Sequence, residues 1–189
     1  EEFANMGVSY CATCDGPFFM GLDIFVVGGG DSALEEALYL TKFAKSVTII
    51  HRRDQFRASQ VVVDKIKANE KVNLVLDSVV HEIKGDKEAK SVVVENVKTG
   101  KLTELKSDNN DPIGVFIFVG YIPQTKLFES KLDMNYGYIV TNDDMKTNIE
   151  GVFAIGDTRE KSVRQMVTAA GDGCIAAVVA NRYLEGQAW

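Results

Sequence analysis

The run Leu22-Asp23-Ile24-Phe25-Val26-Val27 passes without a break into Gly28-Gly29-Gly30-Asp31-Ser32-Ala33. Its apolar run is of the kind that forms a buried parallel strand. Ala33 to Ala44 holds good helix formers, with apolar residues at Leu34, Ala37, Leu38 and Leu40, and Ser46 to Ile50 is a second strand. Strand, glycine turn, helix and strand make a βαβ unit, so this part of the chain is committed to an α/β, Rossmann-like fold with a parallel sheet.

The turn fits G-x-G-x-x-A, with Gly28, Gly30 and Ala33 at the small positions. The first permits the tight turn, the second lets the backbone approach a pyrophosphate, and the third brings helix against strand. The helix N-terminus faces the phosphate charge, and Asp31 and Ser32 of the turn count among the candidate cofactor-binding residues. The alternative is a purely structural glycine turn, and the position between strand and helix favours a dinucleotide. An NAD site carries an acid about 20 residues after the glycines. Here that place holds His51-Arg52-Arg53-Asp54, with Arg57 one turn on. Guanidinium groups bind a 2′-phosphate with paired, charged hydrogen bonds. The expectation is NADP(H) rather than NAD(H), against a merely solvated basic patch.

Tyr10-Cys11-Ala12-Thr13-Cys14-Asp15-Gly16 precedes this unit. The spacing lets two sulfurs meet in one turn, as a small-ring disulfide or as a dithiol, and such pairs lower the pKa of one member. Asp15 is placed to exchange protons with the departing thiolate. Half of a zinc site would need a second ligand pair. Cys174, His51 and His81 fall in no paired ligand spacing, so no metal is expected. Cys174, in a small apolar run, reads as a buried, inert thiol, and His81 as an exposed strand residue.

Ser59 to Asn69 reads as a helix. Val72 to Leu76, Val79 to Lys84, Ser91 to Val97 and Leu102 to Lys106 read as an antiparallel meander. After Asp111-Pro112, Ile113 to Val119 is a buried strand ending in Gly120-Tyr121-Ile122-Pro123, which is either a wall of a nicotinamide site or a crossover to the next domain. Gly137 to Val140 and Gly151 to Ile155 are strand-like, and the second ends in Gly156-Asp157. A helical pattern from about Val163 to Leu184 is opened by Arg164-Gln165-Met166, whose N–H groups can face an electron-rich ligand atom. Gly171-Asp172-Gly173 interrupts it. Val152 to Ile155 is apolar on both faces and needs parallel neighbours that nothing from 121 to 189 supplies. The expected domains are therefore 1–120, binding the nucleotide, and 121–189, part of an incomplete domain. A net charge of -6 argues against nucleic acid or anionic membrane as partner. No apolar run approaches the ~20 residues of a membrane span. Three cysteines, two of them in Cys-x-x-Cys, suit a reducing, cytoplasmic compartment. The start, Glu1-Glu2-Phe3-Ala4-Asn5-Met6, has neither a signal-peptide pattern nor an initiator Met, and suggests a piece of a longer chain.

Cys11-Ala12-Thr13-Cys14-Asp15, the Gly28-Gly29-Gly30 turn, His51-Arg52-Arg53-Asp54-Gln55-Phe56-Arg57-Ala58 and Gly151-Val152-Phe153-Ala154-Ile155-Gly156-Asp157 together resemble the bacterial low-molecular-weight thioredoxin reductases. The resemblance runs through nearly the whole chain. It implies an NADPH domain inserted into an FAD domain, and a homodimer. It also implies that Cys11 and Cys14 form a redox disulfide, reduced through FAD by NADPH and reoxidised by thioredoxin, with Asp15 as acid–base residue. Gly28, Gly30 and Ala33 would be the pyrophosphate turn, and Arg52, Arg53 and Arg57 the 2′-phosphate cluster. Asp157 would hold the flavin ribityl chain, and Arg164, Gln165 and Met166 would lie beside the flavin ring. The family's N-terminal G-x-G-x-x-G segment for FAD has no counterpart here, so the chain by itself is expected to be inactive. Two alternatives stand beside this: the flavoprotein subunit of an alkyl hydroperoxide reductase, which favours NADH, and a non-catalytic NADP-binding redox sensor.

Overall fold

The computed structural model describes residues 2–189, so Glu1 lies outside the described residues. The chain divides into a unit ending at Gly120 and a second unit, Tyr121–Trp189.

The first unit is built on a five-stranded parallel sheet. Its strands in chain order are β1 (Val8–Ser9), β2 (Asp23–Val27), β3 (Ser46–Ile50) and β4 (Val72–Val75), followed later by β8 (Ile113–Ile117). Their order across the sheet is β1-β8-β2-β3-β4. Three helices connect them: α1 (Ala12–Asp15), α2 (Asp31–Leu40) and α3 (Gln60–Ala68). Between β4 and β8 the chain makes a three-stranded antiparallel sheet of β5 (Ser78–Gly85), β6 (Ala89–Asn96) and β7 (Leu102–Lys106).

Side chains alternate across each strand, which divides the core in two. Ile24 and Val26 of β2, Val47 and Ile49 of β3 and Phe116 of β8 pack with Ala33, Leu34, Ala37 and Leu40 of α2 and with Val63 and Ile66 of α3. Phe25, Ile50, Ile113 and Val115 point the other way and pack with Ala89, Val92 and Val94 of the antiparallel sheet. The central strands are covered on both faces, which is why β2 and β8 read as continuous apolar runs. The α2 helix stops where Lys71 Nζ donates to the carbonyls of Thr41 at 3.0 Å and Ala44 at 2.9 Å, a cationic cap on the helix end.

One sequence expectation is corrected here. Val72 to Leu76 is not part of the meander: β4 pairs in parallel with β3, from Val47 opposite Val72 to Ile50 opposite Val75. As the edge strand it is half-buried at Val72 and Val75 and exposed at Asn73 and Leu74, so it lacks the continuous burial that marks β2 as parallel.

The second unit holds a short hairpin, β9 (Met134–Asn135) with β10 (Tyr138–Ile139), and one long helix, α4 (Met166–Leu184). The helix is continuous through Gly171-Asp172-Gly173, against the expected interruption. Asp172 is buried there and accepts from Gly156 N at 2.9 Å and Lys161 Nζ at 2.8 Å, with Arg159 Nη1 at 3.3 Å. That network ties the helix to the Gly156–Lys161 loop and offsets the cost of two glycines. Val152 to Ile155 joins no sheet; Phe153 makes a single antiparallel bridge with Lys146. Val152 and Ile155 stay exposed. Cys174 is also exposed, not buried as its small apolar run suggested. It lies on the side of α4 opposite Asp172, Ala176 and Val179, the buried stripe. Met166, Val167, Ile175 and Val178 are likewise exposed.

Candidate active site

In a parallel sheet all strands end on the same side, and ligands bind outside the carboxyl ends. The disulfide turn follows β1, the glycine turn follows β2, the arginine segment follows β3 and Gly120 lies just beyond β8. Four separate sequence segments thus leave the carboxyl end of one sheet.

Cys11 and Cys14 are joined in a disulfide, with Cα atoms 5.3 Å apart. Cys11 is the N-cap of α1, and its sulfur accepts from Cys14 N at 3.2 Å. Cys14 is exposed, whereas Cys11 and Asp15 are half-buried. The turn is anchored from below by Ala12, fully buried against α2, and by Gly16, where a Cβ would meet Leu40 at 3.1 Å. Ser9, absent from the sequence reading, proves central. Its buried hydroxyl donates to Asp15 Oδ2 at 2.7 Å and accepts from Cys11 N at 3.1 Å. No motif marks it; its place at the end of an edge strand directly before the cysteines was the available signal.

Gly28 has φ +152°, and a Cβ there would lie 2.5 Å from the Phe118 carbonyl and 2.6 Å from Ala33 Cβ. Only glycine fits this close approach of helix and strands. Gly30, the N-cap of α2, has open space where a Cβ would stand. Asp31 and Ser32 are exposed in the first turn. Asp31 Oδ1 accepts from Ser59 N at 2.8 Å, and the Gly29 carbonyl accepts from Arg57 N at 2.8 Å. The glycine turn and the arginine segment are therefore held together by two hydrogen bonds.

His51 does not face solvent. Its ring is buried, stacks on Phe56 with centroids 5.4 Å apart, and shares a hydrogen bond between Nε2 and the Gln55 carbonyl at 3.1 Å. It fills the space beside Gly29, where a Cβ would meet Nδ1 at 2.2 Å. Burial pushes its pKa down, and the charges of Arg52, Arg53 and Arg57 push the same way against the Gln55 bond. Arg52, Arg53 and Arg57 are exposed, and among the described residues none of them forms an ion pair. A polyanion is the natural complement of such a cluster.

In the second unit Asp157 is exposed on a 3-10 turn, Gln165 caps α4 through a reciprocal box with Thr168, and Met166 is 89% exposed. Arg164 lies over the Tyr138 ring at 3.9 Å, and its Nε is buried without a hydrogen-bond partner. Among the described residues no group of three or more His, Cys, Asp or Glu could hold a metal, and no helix is long and apolar enough to cross a membrane.

A family profile described as pyridine nucleotide-disulphide oxidoreductase matches residues 1–173. The chain belongs to that family. Among individual relatives of this chain, the thioredoxin reductase of Peptoclostridium litorale is 52% identical over 187 residues, covering 98% of this chain and 59% of the relative. That of Bacillus subtilis is 48% identical, covering 98% of this chain and 58% of its own length. The crystal structure of thioredoxin reductase from Streptococcus pyogenes superposes with a TM-score of 0.89 at 50% identity, over 96% of this chain and 58% of that one. The chain thus spans about 59% of the length of such relatives.

Proposed function

We propose that this chain carries the NADPH-binding unit and the redox disulfide of a thioredoxin-disulfide reductase, within residues 1–120, and that residues 121–189 belong to its FAD-binding part. The observation that carries the reading is the single sheet edge on which Cys11–Cys14, Gly28–Ala33 and Arg52–Arg57 converge.

Each group has a distinct task. Gly30 and the N-terminus of α2, with Asp31 and Ser32, receive the pyrophosphate, and Gly28 and Ala33 set the approach of helix to strand. Arg52, Arg53 and Arg57 select the 2′-phosphate, and His51 supports them from beneath the turn. Gly120 borders the nicotinamide end. Asp157, Arg164, Gln165 and Met166 face the flavin, and the orphaned Arg164 Nε fits a group rich in acceptors. Held by these residues, a flavin would supply the two-electron relay between NADPH and the Cys11–Cys14 disulfide. The reduced pair then acts by itself. One thiolate attacks the thioredoxin disulfide, a mixed disulfide forms, and the second thiol displaces thioredoxin as its dithiol while Cys11–Cys14 re-forms. Asp15, fixed by Ser9, holds the proton that the second thiol gives up. The same reading makes thioredoxin the partner, the assembly a homodimer and the compartment the cytoplasm.

The last step needs no flavin, which gives a direct test. The chain, reduced chemically and desalted, is mixed with oxidised thioredoxin, and thioredoxin thiols are counted by alkylation and mass spectrometry. Transfer in the wild type, lost in Cys11→Ser and in Cys14→Ser, is the expected result. No transfer from the reduced wild type overturns the reading.

A further inference from the structure

The arginine segment contains one carboxylate, Asp54, and every guanidinium of the cluster lies within three residues of it. Left alone, Asp54 would pair with an arginine or repel a bound phosphate, since charges this close interact even in water. The structure gives it another cation. Lys98, on the turn between β6 and β7, places Nζ 3.5 Å from Asp54 Oδ2 and 2.8 Å from Asp77 Oδ2. Asp77 is the corner between β4 and β5, with φ +49°. Its N–H donates to the Arg53 carbonyl at 3.2 Å, and its own carbonyl accepts from Val97 N at 2.7 Å. The lysine is aimed by a built turn: Asn96 Oδ1 accepts from the backbone N–H of Lys98 at 3.1 Å and of Thr99 at 3.0 Å. The Asp77 hydrogen bond raises the pKa of Lys98 above the usual lysine range, and the charges of Asp77 and Asp54 add to this.

We infer that Lys98 is a positioning residue for nucleotide specificity: it holds Asp54 away from Arg52, Arg53 and Arg57 and so keeps the cluster free for a 2′-phosphate. This rests on the arginine cluster being the 2′-phosphate site. The antiparallel sheet thereby acquires a role besides packing, because its β6–β7 turn reaches the nucleotide edge of the parallel sheet. Lys98 itself need not touch the nucleotide.

The test is calorimetric titration of the 189-residue chain with 2′,5′-ADP and with 5′-AMP, which differ by the phosphate alone. The wild type should prefer 2′,5′-ADP. Lys98→Met should lose about three- to fivefold in affinity for 2′,5′-ADP, the scale of an exposed ion pair, with 5′-AMP unchanged. Lys98→Arg should keep the wild-type preference, and Asp54→Asn added to Lys98→Met should restore it. A wild type without preference overturns the arginine reading and this inference together. A wild type with preference and an unchanged Lys98→Met overturns this inference alone. Equal weakening of both ligands does so too, because it would mean that Lys98 only holds the loop's fold. Failure of Asp54→Asn to rescue also overturns it, since the ammonium would then act on the phosphate directly.

Discussion

The Ser9 hydroxyl donates a 2.7 Å hydrogen bond to the carboxylate of Asp15, across the turn that carries both cysteines. The same oxygen accepts from the Cys11 amide, so one buried side chain fixes the start of the turn and the acid at its end. The position of the Asp15 carboxylate is consequently set by the parallel sheet, through the last residue of β1.

Ser9→Ala removes both bonds and leaves the Cys11 N–H without its partner. Loss of a part-buried donor's partner costs about 1–3 kcal/mol, to be read from urea unfolding of the oxidised chain. Transfer of reducing equivalents to thioredoxin should slow as well, because Asp15 loses its orientation. Unchanged stability would show that solvent replaces the hydroxyl.

Gly28 and Gly30 separate fold from ligand. Gly28→Ala forces a Cβ against the Phe118 carbonyl and Ala33, and overpacking of this kind costs about 1–3 kcal/mol. Gly30→Ala meets open space at φ -96°. It should leave the urea midpoint within about 0.5 kcal/mol of wild type and still weaken 2′,5′-ADP and 5′-AMP several-fold. Intact nucleotide binding in Gly30→Ala would remove that residue from the site.

His51 gives the first unit a pH limit. Burial holds the folded pKa below the ordinary 6.5, so the unfolded chain takes up the proton first. Stability rises with pH wherever the unfolded state binds more protons. The contribution of His51 is therefore complete above about pH 7 and is lost as pH falls through 6.5 towards the folded value. His51→Gln should flatten the dependence of the urea midpoint between about pH 7.5 and 5.5. An equal slope in both proteins would assign the limb to another group.

In the second unit the pH limit lies lower. Burial pushes the Asp172 carboxyl up, but Lys161, the Gly156 N–H and Arg159 outweigh it and hold the group below the usual 3.8. Its stabilisation is present above that value and is lost as pH falls through the folded pKa. Asp172→Asn strands two cations, of which Lys161 has a side chain only 9% exposed. Removing one partner of a buried pair costs about 3–5 kcal/mol. Proteolysis of residues 121–189 at neutral pH, followed by mass spectrometry, should accelerate accordingly, with the first unit unaffected.

Much of the first unit was legible in sequence because its signals are local. The Leu22–Ile50 stretch carries strand, turn, helix and strand in an unbroken order. The second, third and fourth meander runs pair as an antiparallel sheet. What escaped depended on partners far along the chain. Val8–Ser9 is a strand only because β8, more than a hundred residues on, lies beside it. The role of Ser9 was hidden with it. The pairing of β4 was hidden because an edge strand lacks the continuous apolar burial that marks a central parallel strand. Gly171 and Gly173 looked like breaks because propensity counts the glycines and cannot see the Asp172 network that outweighs them. The exposure of Cys174 shows the converse: a small apolar run predicts burial only if something covers it.

That exposed sulfur also bears on how the redox pair is counted. After reduction the chain has three thiols, of which two belong to Cys11 and Cys14. A colorimetric titration of the reduced protein would report half again as many equivalents as the pair can deliver. During oxidation Cys174 can also link two chains, and a gel would display a species unrelated to the Cys11–Cys14 pair. Cys174→Ser supplies a background-free protein in which each thiol lost is one that Cys11 or Cys14 has used.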